Sequence, residues 1–327
     1  MKRAGLFVVM LILIIGMSAY AGGDRDRGGS AGSDQVFRVA IAMSPMTNPF
    51  HRTMYRFFEE AVEAAPPNFR FRFYFSDNSE VQVNNMELIL AGRYDGVIVS
   101  THDGNMMAEP TARIRRAGAK VVVVNRMLAT EEWDAFVSGD NVDGGRNVAR
   151  YMGRFLNGQG NVYIVGMQLG TPIANDRSSG FRDVMAREFP NIRILGESEG
   201  EHNITAGFNA MQNILQAYPQ IDAVYSHDPF SAMGQEQAIQ NAGRTDVRLI
   251  MACAPDQSVV EHMRANPNTI FRGNFAYPPA MAGQAVETMI RILNGERVNR
   301  MTIAPADLLM IEDINQWASL VPSVTGR

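Results

Sequence analysis

Residues 117–126 read Ala-Gly-Ala-Lys-Val-Val-Val-Val-Asn-Arg and carry the clearest signal of the fold. The four valines, Val121 to Val124, form an uninterrupted apolar run, which is typical of a strand that is buried on both faces. Such strands occur in parallel sheets that carry helices on both sides. The run stops at two polar residues, Asn125 and Arg126. The segment therefore predicts an α/β fold, with polar side chains at the end of a central strand.

The same alternation of strand and helix patterns continues along the chain. In a first block, strands are predicted at 36–43, 69–75, 96–100 and 120–124, and helices at 50–65, 81–91 and 106–117. In a second block, strands are predicted at 161–166, 192–196, 223–226, 249–253 and 270–274. Its helices are predicted at 173–188, 204–217, 232–242, 258–264 and 281–293, before an apolar segment at 308–311.

Two such blocks in tandem predict two doubly wound parallel sheets. Ligands of open α/β sheets bind outside the carboxyl ends of the strands. A cleft between the facing blocks is therefore the expected binding site, and the residues that follow each strand are the candidates for it.

The N-terminus has the features of an export signal. Lys2 and Arg3 precede an apolar run at 6–15, and an Ala-x-Ala pattern offers a cleavage site after Ala21. The run is shorter than the roughly 20 apolar residues of a membrane span, although an uncleaved membrane anchor remains the alternative. We expect a signal peptide at 1–21 and a periplasmic protein.

Composition narrows the functional classes. Residues 22–35 are rich in Gly, Ser, Asp and Arg and predict a flexible linker, so the folded part is expected to begin near Val36. The chain has 327 residues, 46% of them hydrophobic, which is enough for two ordinary domains. A net charge of -4 without a Lys/Arg block argues against nucleic acid as a partner.

The sulfur-containing residues indicate packing rather than chemistry. The single cysteine, Cys253, lies in an apolar strand pattern, so no internal disulfide can form. As a nucleophile it would need a neighbouring base, and only His262 is near in sequence. The 21 methionines are scattered through helix and strand patterns, which favours core packing over a soft-metal site. We expect an inert, buried Cys253 near the cleft, and no metal or cofactor.

An aromatic residue follows the first strand. Asn48 is a suitable helix cap and Pro49 suits the first helical position, so Phe50 and His51 project from the first turn. The face of Phe50 can stack on the apolar CH face of a sugar ring. The alternative is an ordinary helix start with Phe50 in the core.

Two arginines follow other strands. Arg126 and Arg177 present rigid forks of donors that grip vicinal hydroxyls or a carboxylate at two points. Asp228 is an acceptor that complements them. The alternative for both arginines is a solvated surface charge.

Several segments, taken in order, resemble the periplasmic sugar-binding proteins of the ribose-binding type, which are the receptors of bacterial ABC importers. The resemblance runs from about Arg38 to Ile311. It rests on Asn48-Pro49-Phe50, Ser138 to Gly145, Gly170-Thr171 with Arg177 to Phe181, Met211 to Leu215, Ala238 to Gly243, and Val286 to Thr288 with Asn294 to Glu296.

The resemblance implies a type I periplasmic binding fold, in which a hinge of three crossings joins two lobes. It places the N-terminal lobe at 36–139 plus 277–306 and the C-terminal lobe at 140–276 plus 307–327. It further implies that a ligand closes the lobes and that the closed form is recognised by an ABC transporter permease. A chemoreceptor or a sensor kinase is the alternative partner, and we expect a monomer.

The resemblance also implies a set of ligand-binding residues. They are Ser44, Asn48, Phe50, His51, Ser100, Asn125, Arg126, Arg177, His202 and Asp228. Cys253, which is expected near the cleft on its own account, completes the candidate ligand-binding residues. The chain departs from the family pattern at Asn125, where an Asp is usual, and at Asp228, where an Asn is usual. An expected carboxylate is replaced by Ala252-Cys253-Ala254, and an expected amide by Ala276. We therefore expect a polyhydroxylated ligand that need not be ribose, with a sugar acid or a polyol left open.

Two other classes are disfavoured. A dinucleotide-dependent enzyme would show Gly-x-Gly-x-x-Gly after an early strand, where this chain has residues 44–50, and the P-loop pattern is missing as well. A regulator of the LacI type would carry a DNA-binding helix-turn-helix where this chain has its apolar leader. We therefore predict a binding protein and not an enzyme.

Overall fold

A computed structural model of the protein describes residues 35–46, 49–101 and 103–317. The predicted signal peptide, all but the last residue of the predicted linker, and Asn48 lie outside these ranges. Within them, no helix has the length and apolar character needed to cross a membrane.

The strands follow the apolar runs of the sequence. They are β1 (Phe37–Ala42), β2 (Phe69–Tyr74), β3 (Gly96–Ser100), β4 (Lys120–Val124), β5 (Ala135–Gly139), β6 (Gln159–Gly166), β7 (Asn191–Glu199), β8 (Ala223–Ser226), β9 (Leu249–Cys253), β10 (Phe271–Phe275), β11 (Met301–Ala304) and β12 (Leu308–Met310).

The helices lie between them. They are α1 (Pro49–Glu63), α2 (Ser79–Gly92), α3 (Ala108–Arg116), α4 (Asn141–Phe155), α5 (Pro172–Glu188), α6 (Ile204–Ala217), α7 (Pro229–Asn241), α8 (Gln257–Ala265), α9 (Met281–Leu293) and the short α10 (Ile314–Trp317), which follows a single 3-10 turn.

Two six-stranded sheets organise the chain. The first has the order β11-β5-β4-β3-β1-β2, and all of its pairs are parallel. The second has the order β12-β10-β9-β8-β6-β7 and is parallel except for the edge pair of β10 with β12. Central strands such as β3 and β9 are buried along their whole length. This is the predicted architecture of two doubly wound lobes.

The chain passes between the two sheets three times. It leaves the first sheet after β5, returns after β10 to form β11, and goes back to the second sheet at β12. These passages agree with the predicted three-crossing hinge, whereas the exact lobe limits at 139/140, 276/277 and 306/307 stay a prediction.

Four of these strands and helices were not predicted from the sequence. They are β5, α4, β11 and the short α10. Helix α4 contains Gly144, Gly145 and Gly153, and glycine weakens a helix by about 1 kcal/mol relative to alanine. Packing explains their presence. A Cβ at Gly144 would lie 2.5 Å from the ring of Phe275, and a Cβ at Gly153 would lie 2.3 Å from the ring of Phe189.

Helix α7, which begins just after Asp228, is held in place by a buried carboxylate. Glu236 is 2% exposed, and it accepts hydrogen bonds from the hydroxyl of Thr269 and from the backbone N–H of Ile270 at 3.2 Å. Its Oε2 lies 3.0 Å from Nε2 of His262 on α8. Burial alone would raise the pKa of Glu236, but these hydrogen bonds outweigh burial and hold the pKa below its ordinary value.

We predict that this network stabilises the protein at neutral pH and less so in acid. A carboxyl with a lowered pKa in the folded state stabilises the fold above its unfolded pKa, and the contribution is lost as the pH falls through the folded pKa. Glu236→Gln should lower the free energy of unfolding by about 1 to 3 kcal/mol at pH 7 and by less at pH 4. Urea unfolding at both pH values measures this. The exposed Glu261→Gln is the control, and a loss that does not change with pH would contradict the prediction.

Candidate functional site

A cavity lies between the carboxyl ends of the two sheets. Its wall is built by the segments that follow β1, β4, β6, β7, β8, β9 and β10. Because parallel strands all end at the same edge of a sheet, chain segments that are distant in sequence meet there.

Most of the predicted binding residues line this cavity. They are Phe50, His51, Asn125, Arg126, Arg177, His202, Asp228 and Cys253. Ser44 and Ser100 do not line it, because both are buried and the hydroxyl of Ser44 donates to the backbone oxygen of Ser100 at 2.9 Å. Those two serines join the ends of β1 and β3.

Arg177 is a buried arginine in the cavity wall. It projects from α5 and is only 4% exposed. Its Nε donates to Oδ1 of Asn141 at 2.9 Å, and its Nη1 donates to the backbone oxygen of His227 at 2.7 Å. The guanidinium carbon lies 5.4 Å from the centre of the Tyr277 ring. These bonds occupy Nε and Nη1 and fix the orientation of the guanidinium fork.

Arg126 contributes a second guanidinium from the first sheet. The half-buried side chain follows β4 and lines the same cavity as Arg177. Burial lowers the pKa of Arg126, and the positive charge of Arg177 lowers it further. The two arginines are therefore close enough to act on each other electrostatically.

Two aromatic rings lie beside the arginines. The rings of Phe50 and Tyr277 are tilted by 42° to each other, with centres 5.7 Å apart. The Tyr277 hydroxyl lies 3.0 Å from Oδ1 of Asn125 and 3.1 Å from Oγ of Ser138. Tyr277 follows β10 and Asn125 follows β4, so this hydroxyl links strand ends of the two sheets.

Two strand ends have left-handed backbone conformations. Asn125 has φ of 74° and Ala254 has φ of 51°. A positive φ is uncommon for residues other than glycine, and an alanine there is less favoured than an asparagine. Both residues line the cavity, one after β4 and the other after β9. Sharp turns of this kind are concentrated at binding sites, where the surrounding fold holds them.

The two aspartates in the wall are helix caps. Asp228 Oδ1 accepts from the backbone N–H of Ser231 at 2.8 Å, and its Oδ2 lies 2.8 Å from Nδ1 of His202. Asp256 Oδ1 accepts from the backbone N–H of Val259 at 3.1 Å. Both aspartates line the cavity, so a carboxylate is present after β9 although Ala252-Cys253-Ala254 lacks one.

His227 and Cys253 form the floor beside Arg177. Burial lowers the pKa of His227 well below its ordinary value, and Arg177 adds to this effect, so the imidazole is neutral near pH 7. The Sγ of Cys253 donates to the backbone oxygen of His227 at 2.7 Å. Burial raises the pKa of the Cys253 thiol to about 12, against the opposing effect of Arg177.

We predict that Cys253 does not react in the folded protein. A pKa near 12 leaves about a thousandfold less thiolate at pH 8 than an ordinary cysteine has, and the thiolate is the reactive form. Iodoacetamide at pH 8, followed by intact-mass measurement, should give no labelling of the native protein and complete labelling in guanidinium. Rapid stoichiometric labelling of the native protein would show that the thiol is activated.

Sequence reasoning missed several residues of the wall, among them Ala254, Asp256, His227 and Tyr277. His227 directly precedes Asp228 and follows β8, so its position at a strand end was an available signal. Tyr277 was placed only at a hinge crossing, and its ring enters the cavity because the chain passes between the sheets at that point.

Comparison with known proteins agrees with this geometry. A sequence model of the family described as "Periplasmic binding protein domain" matches residues 39–297. The ribose import binding protein RbsB of Bacillus subtilis is 22% identical over 281 residues, which cover 85% of this chain and 89% of that protein. These relatives are binding proteins rather than enzymes.

Solved structures share the fold. One is an ABC transporter solute-binding protein from Bacillus halodurans with bound myo-inositol, with a TM-score of 0.79, 20% identity, and coverage of 88% of this chain and 99% of that one. Another is the fructose-binding periplasmic domain of a hybrid two-component system, with a TM-score of 0.77, 19% identity, and coverage of 86% and 94%. The predicted fold class is thereby confirmed.

Proposed function

Since this chain belongs to the periplasmic binding protein family, we propose that it binds a sugar or a sugar-like polyhydroxylated molecule in the cavity between its two lobes. The observation that carries the proposal is the pairing of a buried, oriented guanidinium with aromatic rings. Arg177 supplies donors at fixed positions, and Phe50 and Tyr277 supply apolar faces next to them. Sugars present both kinds of surface, namely hydroxyls around the ring and CH groups on its faces.

Each wall residue has a role in this proposal. Phe50 stacks on the ring of the ligand, and Arg126 and Arg177 bind its oxygens from opposite lobes. Asp228 accepts a hydrogen bond from a hydroxyl, since each carboxylate oxygen can accept more than the single bond it already makes. The backbone oxygen of His227 accepts a hydrogen bond from Arg177 and so fixes the orientation of the guanidinium.

Ligand binding is proposed to close the lobes about the three crossings. A ligand that contacts both lobes favours the closed state by the difference between its affinities for the closed and open states. We propose that the closed form delivers the ligand to an ABC transporter permease outside the cytoplasm. RbsB, a ribose import binding protein, supports this reading by its name.

A second function is a sensory one. The fructose-binding domain of the hybrid two-component system shares the fold and belongs to a signalling protein. In that case the closed form would engage a sensor kinase or a chemoreceptor. The neighbouring genes discriminate between the two functions. A permease gene beside the gene for this protein favours transport, and a kinase gene favours sensing.

Calorimetric titration tests the proposal. Residues 36–327, purified after unfolding and refolding to remove bound ligand, would be titrated with a panel of aldoses, polyols and sugar acids. We expect saturable, one-site binding of at least one member of the panel. Absence of binding to every member would refute the sugar assignment.

A further inference from the structure

The groups that hydrogen-bond to Arg177 are uncharged, and this indicates which charge the ligand carries. The guanidinium is 4% exposed, and its hydrogen-bond acceptors are the amide oxygen of Asn141 and the backbone oxygen of His227, with Met167 Sδ 3.3 Å from Nη1. No carboxylate among the described residues lies within ion-pair distance of this guanidinium. A buried charge without a counter-charge is unfavourable, so the site gains from a negative group brought by the ligand.

Arg126 adds a second positive charge to the same space. It lines the cavity from the opposite lobe, and its pKa is lowered mainly by burial and further by repulsion from Arg177. Two guanidinium groups that face one cavity repel each other, and an anion between them removes this repulsion.

The two aspartates of the wall are already engaged elsewhere. Asp228 caps α7 and also contacts His202, and Asp256 caps α8 and accepts from the hydroxyl of Ser258 at 2.7 Å. Their negative charges are thus placed at the positive ends of two helices. They therefore offset the partial positive charges of these helix ends.

Other helix ends increase the positive potential. Helices α1 and α5 also begin at the cavity, where Phe50 and Ile173 lie in their first turns. The N-terminus of a helix carries roughly half a positive charge, and these two ends add to the charges of Arg126 and Arg177.

We propose that the ligand is a sugar acid with one carboxylate, which is bound between Arg177 and Arg126. This inference rests on the proposed function and narrows its ligand class. A carboxylate matches the fork of an arginine at two points. Asp228 and Asp256 lie in the same wall and repel a second negative charge, which argues for a monoanion over a phosphorylated sugar.

Calorimetry with matched pairs of compounds tests the inference. The pairs are glucuronate with glucose, galacturonate with galactose, and ribonate with ribose, and glucose 6-phosphate forms a separate arm. We expect the acid of at least one pair to bind at least about tenfold more tightly than its neutral partner. In Arg177→Gln, this ratio should fall to near one.

The control variant is Arg187→Gln, on the same helix. Arg187 is exposed and pairs with Asp183, so its removal should leave the ratio unchanged. If Arg177→Gln fails to fold, as judged by thermal unfolding, Arg126→Gln replaces it with the same expected loss.

Each other outcome overturns a defined part of the account. Neutral sugars that bind as tightly as their acids, or more tightly, refute the carboxylate inference and leave the proposed function standing. If glucose 6-phosphate binds and no sugar acid does, the inference that the ligand is a monoanion is refuted. If no compound of either class binds, the proposed function fails and this inference fails with it.

Discussion

Replacing Arg177 with alanine is expected to weaken ligand binding by more than about tenfold. A hydrogen bond that involves a charged group contributes about 1.5 to 3 kcal/mol, and every 1.4 kcal/mol corresponds to about tenfold in affinity. The substitution also removes the bonds that Arg177 donates to Asn141 Oδ1 and to the backbone oxygen of His227, which keeps the bond from Cys253. The measurement is the dissociation constant of the panel member that binds the wild-type protein most tightly.

The matched control for this variant is Arg187→Ala. Arg187 lies on the same helix, is exposed, and forms an i,i+4 pair with Asp183. Exposed ion pairs contribute little to stability. The Arg187→Ala variant should therefore bind the ligand with the same affinity as the wild-type protein. A folded Arg177→Ala variant with an unchanged dissociation constant would show that this cavity is not the binding site.

Gly180→Ala is expected to destabilise the protein by about 2 to 3 kcal/mol or more. Gly180 lies in α5, where a Cβ would be 2.0 Å from the backbone oxygen of Val142 in α4. Backbone cannot rotate away as a side chain can, so the two helices must separate. Their separation would also disturb the bond from Arg177 on α5 to Asn141 at the start of α4, and affinity should fall together with stability.

A second glycine in a helix provides the control. At Gly283 in α9, a Cβ would lie 3.5 Å from its nearest neighbour, which is an ordinary contact. Gly283→Ala should therefore leave stability unchanged or raise it by about 0.5 to 1 kcal/mol. Chemical unfolding of both variants measures the difference. Equal stabilities for the two would contradict the close packing of α4 on α5.

The central strands could be predicted from sequence because burial on both faces leaves a direct trace. The observed limits of β3, β4, β8 and β9 equal those predicted from their apolar runs. The edge strand β11 has no such run. It is exposed or half-buried along its length and pairs on one side only, so its sequence carries little signal.

Helix α4 was missed because the local and the tertiary requirements on its sequence conflict. Gly145 weakens the helix locally, yet a Cβ there would lie 2.2 Å from the backbone oxygen of Arg177. A glycine is required at position 145 only because α5 packs against it, and the local sequence does not show that contact. In strand β5 the apolar run is limited to Ala135 to Val137, because the last two residues, Ser138 and Gly139, resemble a turn.

The candidate site could be predicted where it depends on strand ends. Arg126 and Asp228 are each the second residue after a buried strand, and the topology brings such residues together. The sequence does not reveal which neighbours satisfy a side chain. The hydroxyl of Ser44 bonds to Ser100 instead of facing the cavity, and Tyr277 enters it from a crossing between the lobes. Those outcomes depend on contacts between segments far apart in sequence.

The most direct test of the central claim is the crystal structure of the protein in complex with the tightest-binding member of the panel. The account predicts the ligand in the cavity between the lobes, with its ring against Phe50 and with oxygens about 3 Å from the guanidinium of Arg177. A ligand bound elsewhere on the molecule, with this cavity filled by water alone, would contradict it.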